Sequence, residues 1–511
     1  MPGLLKPMLT HEKKDVTKNT QTKGATCVSR RKNPMLPHGE WLSRTTIPHT
    51  ELCGYVPPKC SRVYIKTFGC QMNVRDSEII LGMLQGKGYA CVEDPDKADI
   101  VLFNTCSVRR HAEQRVWSAL GKFREFTVHS SEFIDKKDNS EKKIIGVIGC
   151  MAQAYQNEIL RRFPHVDFVC GPANIYDIPD LLDRVKKDGG QILAVNRKQR
   201  PLICDEAFRK DASRAFVSIM YGCDNFCSYC LVPYVRGREK SRPLKHILDE
   251  VKGLALRGCK EVTLLGQNVN SYGKDLRGKT GFAGLLEKLN AIKGIERIRF
   301  VTSHPKDASL SLFRAMRDLP KVCEHLHLPL QAGSDKILAK MNRKYTLKDY
   351  SKLVDNLRRL IPDCSLTTDI IVGFPGESEK DFLRTYQAME KIRFDEAFIF
   401  KYSPRPKTAA AKLRDDVSLS IKQKRNQALL KLQDEISLSK NRELVDTVNE
   451  VLVEGKGRCF GSNEDMLRGR NRGNKITLFS AKKDLIFQAV NVKIGRATTH
   501  TLIGEIYDEK N

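Results

Sequence analysis

The chain has 511 residues, room for about two to four domains, and its 41% hydrophobic and 29% charged content is that of a globular protein rather than a disordered or fibrous one. No run of about 18 apolar residues occurs, which argues against a membrane-spanning helix. Lys and Arg number 88 against 61 Asp and Glu, a net charge of +27, so a polyanionic partner, nucleic acid first, is favoured over a merely solubilising excess. Sixteen cysteines without a secretory signal point to a reducing compartment and to metal or cluster ligation, not to a disulfide framework.

Residues 1–60 are basic, dotted with Pro, Gly and Thr and without periodicity, and are expected to form a disordered extension. The opening residues hold no apolar h-region. The extension is poor in acids but neither arginine-rich nor clearly amphipathic, so a cytoplasmic location is expected, with the mitochondrial or plastid matrix as the alternative. Ordered sequence begins with Arg62–Phe68, a strand-like alternation running into Gly69-Cys70-Gln71. A helix is predicted over Asp76–Gly86, with Ile79, Ile80, Met83 and Leu84 on one face. The apolar run Ile100–Phe103 ends in Asn104-Thr105-Cys106. A helix over Arg110–Phe126 and an exposed polar loop over 127–143 follow. Lys143–Ile148 is a further buried strand, ending in Gly149-Cys150 and leading to a helix over Ala152–Arg162. This alternation predicts a parallel-sheet α/β domain over 61–180, followed by a linker over 181–210.

Cys70, Cys106 and Cys150 each stand one or two residues past a strand end. The carboxyl ends of parallel strands face one crevice, so three cysteines in this slot are expected to converge. The plainer alternative is three small buried core residues. Cys53, Cys60, Cys91, Cys170 and Cys204 lack this placement and are read as structural.

A second alternating region is expected over 211–441. Its strands are predicted at 215–220, 261–265, 297–301, 325–328, 365–372 and 397–402, with helices between them. Six β/α units predict a partial (β/α)6 barrel, short of the eight of a closed one. The loop after the first strand, Tyr221–Cys230, reads YGCDNFCSYC and spaces Cys223, Cys227 and Cys230 as C-x3-C-x2-C. Structural zinc sites and ordinary iron–sulfur clusters take four protein ligands. Three thiolates can hold three irons of a 4Fe–4S cube and leave the fourth open to a small ligand. Beyond a charged helix over Leu419–Lys440, the span 442–509 changes to short strands and turns, which predicts a small all-β, OB-like barrel with basic loops. Arg468, Arg470 and Arg472 are expected to meet RNA phosphate there, a solvated basic turn being the alternative.

The cluster motif resembles that of the radical S-adenosylmethionine superfamily. The segments TFGCQMN at 68 (from Thr67), NTCSVR at 104, GCMAQ at 149, GCDNFCSYCLVPYVRGREKSR at 222, LLGQNVNSY at 264, TSHPKD at 302 and GFPGE at 373 are together similar to the methylthiotransferase family. Gln71-Met72-Asn73 after the first cysteine and the Arg236–Arg242 run resemble the MiaB type, which acts on dimethylallyladenosine in tRNA. The likeness covers about Arg62–Tyr507, including a C-terminal barrel like the family's TRAM domain. Lys344 and Lys407 depart from the pattern, standing where bacterial relatives usually show glycine.

The resemblance implies two 4Fe–4S clusters and S-adenosylmethionine as cofactors. Cys223, Cys227 and Cys230 would hold the cluster whose open iron chelates S-adenosylmethionine, the source of a 5′-deoxyadenosyl radical. Cys70, Cys106 and Cys150 would hold an auxiliary cluster carrying the sulfur to be inserted at C2 of isopentenylated adenosine next to the anticodon. One S-adenosylmethionine would give the methyl group and a second the radical. It also implies that Gly373, Gly376 and Glu377 lie near the adenosyl part of the cofactor, an ordinary turn being the alternative. Arg236 is expected to reach cofactor carboxylate or tRNA phosphate, and Gln267, with Asn268 and Asn270, to offer polar groups to the cofactor; ordinary ion pairs and strand-end packing are the alternatives. The expected partners are tRNA and a reductant protein such as a flavodoxin or ferredoxin, with no membrane, and the chain is expected to be monomeric.

Overall fold

The computed structural model describes residues 60–107, 110–132, 143–196, 207–209, 213–278, 280–458, 465–481 and 485–507. The expected N-terminal extension and most of the polar loop expected at 127–143 lie outside them. From Arg62 the chain alternates β1 (Arg62–Thr67), α1 (Gln71–Gly86), β2 (Ala90–Cys91), β3 (Ile100–Thr105), α2 (Arg110–Glu132), β4 (Ile144–Gly149), α3 (Cys150–Tyr155), α4 (Asn157–Arg162), β5 (Phe168–Cys170), α5 (Ile178–Asp188) and β6 (Ile192–Ala194). The six strands form one parallel sheet in the order β2-β1-β3-β4-β5-β6. β3 and β4 are nearly all apolar because helices cover both their faces. Val101, Phe103 and Val147 pack on Val116, Leu120 and Met151, while Ile100, Leu102 and Ile148 pack on Ile79, Ile80 and Leu182.

Four expectations need correction here. α1 starts at Gln71, not Asp76, because Cys70 in extended backbone (φ −106°, ψ 171°) serves as its N-cap. α2 runs on to Glu132, past Phe126. The helix expected over Ala152–Arg162 is two helices, broken at Gln156, whose φ is +49°. The sheet also continues beyond residue 180: β6 pairs with β5 and its Ala194 carbonyl accepts from the Gly171 N–H at 2.8 Å. A three-residue, half-buried edge strand carries too little periodicity to be seen in sequence.

The central region follows with β7 (Arg214–Ser218), β8 (Met220–Tyr221), α6 (Val232–Val235), β9 (Lys240–Ser241), α7 (Leu244–Leu256), β10 (Glu261–Leu265), α8 (Phe282–Asn290), β11 (Arg297–Phe300), α9 (Leu310–Asp318), β12 (His325–His327), α10 (Asp335–Lys340), α11 (Leu347–Leu360), β13 (Ser365–Val372), α12 (Glu379–Ile392), β14 (Glu396–Lys401) and α13 (Leu419–Arg442). Its six parallel strands stand as β7-β10-β11 and β12-β13-β14. A parallel bridge from Ile298 to Val322 continues the wall between them. One apolar core, including Val217, Leu264, Phe300, Leu326, Ile370 and Phe394, fills the space between strands and helices. Capping boxes at Thr346/Asp349 and Ser378/Asp381 start α11 and α12 by satisfying their first free N–H groups.

The last part is β15 (Val448–Arg458), β16 (Asp465–Asn471), β17 (Ile476–Ser480), β18 (Ala489–Ala497) and β19 (Thr501–Ile506), a closed barrel in the order β15-β16-β17-β19-β18. β16 was not expected from the sequence, and its arginines alter one functional expectation below.

Candidate functional site

The Cys223–Cys230 loop leaves β8 through Gly222. That residue has φ +70°, and a Cβ on it would lie 2.1 Å from the Arg238 carbonyl oxygen, so only glycine fits. The Cys223 N–H donates to Gly237 O at 3.2 Å. Asn225 Nδ2 donates to the Cys223 sulfur at 3.4 Å, and Arg343 Nη1 to the Cys227 sulfur at 3.4 Å. Arg343 is itself held by Pro329 O at 2.9 Å and Tyr345 at 2.8 Å. Burial first, and Cys227 alongside, push the Cys223 thiol up to about 11 and the Cys230 thiol to about 12. Thiols so disposed stay protonated at neutral pH unless a cation replaces the proton.

Cys70, Cys106 and Cys150 meet at the carboxyl edge of the N-terminal sheet. Thr105 and Gly149 are register partners, which sets Cys106 and Cys150 side by side one residue further on. Gly69, at φ +105°, backs directly onto Cys106: a Cβ there would fall 2.2 Å from the Cys106 Cβ. Asn73 Nδ2 donates to Phe68 O at 2.8 Å and Thr105 O at 2.9 Å, tying the Cys70 turn to the Cys106 turn. Thr105 Oγ1 donates to Ile148 O at 2.6 Å, tying that turn to the Cys150 strand. Cys106 and Cys150 are buried and Cys70 is exposed.

The two triads adjoin. Cys150 packs with Leu231 and Val235, which lie just past Cys230. Arg236 Nη2 donates to Asn73 Oδ1 at 2.9 Å and Asp76 Oδ2 at 2.8 Å. The Tyr221 hydroxyl reaches the other Asp76 oxygen at 2.7 Å. Burial raises the Cys150 thiol, and the Arg236 guanidinium beside it pulls the other way. Arg236, expected from the sequence to meet a cofactor carboxylate or a tRNA phosphate, is thus engaged within the protein through Nη2. It is buried and joins the two cysteine-bearing regions.

Among the described residues, no three His, Cys, Asp or Glu side chains are close enough to share one metal ion. A four-iron cube binds its thiolates at separate corners, which sets them farther apart than the ligands of one ion.

The other candidates divide. Gln267 Oε1 is buried without a hydrogen-bond partner, as are both polar atoms of the Asn270 amide, Asn268 Oδ1, Ser303 Oγ, His304 Nε2 and Gln331 Oε1. These residues follow the carboxyl ends of β10, β11 and β12, and such orphaned atoms suit a polar ligand. Thr302 and Gln331, at φ +70° and +72°, carry backbone strain at the same edge. Ser303, His304 and Gln331 were not singled out from sequence, although their position just past strand ends was a usable signal. Burial lowers His304 to about 2, with Arg343 adding to the effect, so its ring is neutral. Gly373 and Gly376 (φ +70° and +78°) shape a tight turn in which the Gly373 N–H donates to Glu377 Oε2 at 2.7 Å. Glu377 is buried and paired with Arg425 at 2.7 Å, so its carboxylate shapes the turn.

The three arginines expected to bind RNA are half-buried and each pairs with a glutamate. Arg468 and Arg470 project from β16 to Glu454 at 3.4 and 3.2 Å. Arg472 makes a two-bond fork with Glu324 at 2.7 Å. The Glu454 pairs brace the barrel internally, while Arg472, with Arg297 on Glu450 at 2.5 Å and Arg299 on the Asn471 carbonyl at 2.7 Å, fastens the barrel to β11 and the segment entering β12. Their partners lie on other elements, so the sequence alone read them as loop residues.

Residues 62–171 match the model of an uncharacterized protein family, UPF0004, and 217–389 that of the radical SAM superfamily. The tRNA-2-methylthio-N(6)-dimethylallyladenosine synthase of Thermoanaerobacter sp. (strain X514) is 48% identical over 87% of this chain and 92% of its own length. The enzymes of the same name from Clostridium novyi (46%, 87% of this chain and 96% of its own) and Syntrophus aciditrophicus (48%, 88% and 95%) agree. The chain belongs to this family of radical S-adenosylmethionine methylthiotransferases. A radical S-adenosylmethionine methyltransferase, TsrM from Kitasatospora setae, solved with cobalamin and a [4Fe-4S] cluster, shares the fold at a TM-score of 0.50 and 13% identity, over 69% of this chain and 77% of that one. The family works with S-adenosylmethionine and two 4Fe–4S clusters. The chain's thiols suit that pair: two sets of three, each leaving one corner of a cube without a protein ligand.

Proposed function

We propose that the chain methylthiolates C2 of N6-isopentenyladenosine next to the anticodon of tRNA, as a tRNA-2-methylthio-N6-dimethylallyladenosine synthase. The observation that carries this is the contact between the segments that bear the two cysteine triads, through Cys150 on Leu231 and Val235 and through Arg236 on Asp76. Sulfur insertion needs a radical-generating centre and a sulfur-carrying centre within reach of one substrate carbon, and two remote triads would not provide it.

Cys223, Cys227 and Cys230 would hold the first cluster, and Cys70, Cys106 and Cys150 the second. When bound, the first supplies an electron that cleaves S-adenosylmethionine to a 5′-deoxyadenosyl radical, and the second supplies the sulfur. The chain's own residues position and shield. Arg343 and Asn225 donate to the sulfurs of Cys227 and Cys223 and fix their orientation. Leu231, Val235 and Ala154 exclude water around Cys150. Gln267, Asn270, Ser303 and Gln331 offer unpaired polar atoms to the adenosine or methionine groups of the cofactor. The Gly373–Glu377 turn, held by Arg425, would close on the adenosyl part.

With this function come a reductant protein of flavodoxin or ferredoxin type and a monomeric enzyme. Work in the cytoplasm is favoured, with the mitochondrial or plastid matrix as the alternative; among the described residues no helix is long and apolar enough to cross a membrane. The test is mass spectrometry of tRNA nucleosides after incubation with reductant and S-adenosylmethionine. Isopentenyladenosine should gain a methylthio group. If it stays unmodified while another nucleoside or a protein gains the group, this assignment is wrong.

A further inference from the structure

The outer face of the Cys223–Cys230 loop carries features that the proposed chemistry leaves unused. Phe226 has a left-handed backbone, φ +46°, uncommon for a bulky residue. It is 39% exposed and packs edge-to-face at 6.3 Å on Tyr234, 37% exposed. The Arg238 guanidinium lies 5.7 Å from the Phe226 ring centre, and its side chain is 73% exposed.

Three segments meet at Ser228. Its N–H donates to Met341 O at 3.0 Å, its hydroxyl donates to Lys340 O at 2.8 Å, and its carbonyl accepts from the Ala410 N–H at 2.7 Å. Asn342 Nδ2 adds a bond to Phe226 O at 2.9 Å. The two segments that clasp the loop in this way carry Lys344, Lys407 and Lys412, all exposed. Lys407 stands at φ +70°, a conformation that costs a residue with a side chain on the order of 1–2 kcal/mol and costs glycine little. Strain held at an exposed lysine points to use of its charge. Three acids near the patch are already engaged: Asp224 with Arg238, Asp415 with Lys422, and Asp416 with the Gly376 N–H.

We propose that this basic, aromatic patch is the docking face for an acidic one-electron donor protein. The proposal rests on the function above, since only a reducible cluster on Cys223, Cys227 and Cys230 needs such a donor. Phe226 adjoins Cys227, so a protein seated on the patch delivers its electron next to a ligand sulfur. One electron leaves the donor and enters the cluster; the donor is oxidised, the cluster is reduced, and no bond is made or broken. A tRNA backbone is the other polyanion lysines attract. Arg238 already covers a face of Phe226, however, which makes the ring a poor platform for a stacked base. An exposed aromatic pair rimmed by cations instead suits a small, transient protein interface steered by charge.

The test uses holoenzyme, reduced flavodoxin as the probe and dithionite as a small-molecule control, and follows 5′-deoxyadenosine release from S-adenosylmethionine. The double variant Lys344→Glu/Lys407→Glu should be roughly tenfold slower with flavodoxin at low salt and unchanged with dithionite. Added salt should bring the parent protein down toward the variant. Lys407→Gly relieves the strain, so it should fold at least as well and still lose part of the flavodoxin rate. Unchanged flavodoxin rates overturn the docking site. Weakened tRNA binding with an unchanged flavodoxin rate also overturns it, assigning the patch to RNA. Equal slowing with dithionite overturns it too, assigning the lysines to the integrity of the cluster. Failure of the proposed function looks different: dithionite-reduced enzyme would cleave S-adenosylmethionine and leave isopentenyladenosine unmodified.

Discussion

Arg236 and Asp76 form an ion pair at 2.8 Å with both side chains buried. One residue follows the radical-type cysteine loop and the other lies on the helix that Cys70 caps, so this pair helps to set the spacing of the two triads. Breaking a buried pair by removing one partner costs about 3–5 kcal/mol. Arg236→Gln should therefore lower the thermal midpoint of the holoprotein clearly. It should cut methylthiolated product more than 5′-deoxyadenosine release, because the cofactor-cleaving loop keeps its own clamps at Arg343 and Asn342. Arg236→Lys should restore part of the product yield. Equal loss of both products would mean that Arg236 serves only the radical loop.

Iron content separates the two triads. Anaerobic protein should hold about eight irons per chain, as two four-iron clusters require. Gly222→Ala drives a Cβ into the Arg238 carbonyl and should leave about four, lost from the radical-type triad. Gly69→Ala drives a Cβ into Cys106 and should also leave about four, lost from the other one. Only Gly69→Ala should keep S-adenosylmethionine cleavage. The same iron content in Cys106→Ala as in the parent would remove the second cluster from the account.

Arg468, Arg470 and Arg472 are half-buried and paired with Glu454 and Glu324, so their removal should act on stability and not on phosphate contact. Alanine at Arg472 should lower the unfolding midpoint by loosening the barrel from Glu324. The slope of tRNA affinity against salt should stay the same for all three variants, whereas loss of one phosphate contact would flatten it by about one unit. A flatter slope returns these arginines to the RNA surface.

Acid should loosen the joints between the parts. Arg75, Arg242 and Arg209 hold Glu250 below its ordinary range, Arg299 does so for Glu261, and Lys475 and Lys440 do so for Asp395, each against the opposing effect of burial. A carboxylate depressed in the folded state adds stability above its unfolded value, near 4, and that stability is lost as pH falls through the folded value. His304 and His325, lowered by burial to about 2 and about 3, act in the same direction from a higher pH. The unfolded chain takes up protons below about 6.5 that the folded rings refuse. Unfolding midpoints should thus fall from about pH 6.5 downward and fall faster below about 4. Glu250→Gln should flatten the lower limb, and a midpoint insensitive to pH would contradict these assignments.

The parallel sheet could be read from sequence because the strands buried on both faces, before Cys106 and Cys150, appear as apolar runs, and the strand before Cys70 as an alternation. The break at Gln156 could not be read, since glutamine carries no turn signal and tertiary packing imposes its conformation. β16 escaped for a related reason. Its sequence alternates arginine with apolar or small residues, and the arginines look like solvent-facing charges until Glu454 and Glu324 are brought opposite them. Arg236 was noticed, but its ion pair was not, because the partner lies 160 positions away. Composition and spacing reveal which residues carry chemistry; they do not reveal which charges are already satisfied.

The packing of Cys150 against Leu231 and Val235 also bears on how the chain matures. During synthesis Cys150 emerges 85 residues before Val235, an interval of roughly 4–17 s at ordinary translation rates. For that time the N-terminal sheet can form, but one thiol of its triad lacks its cover and stands open to oxidation or to a stray metal. A durable cluster held by Cys70, Cys106 and Cys150 would therefore wait for the segment after Cys230, which would make the second centre of the sequence a condition for completing the first.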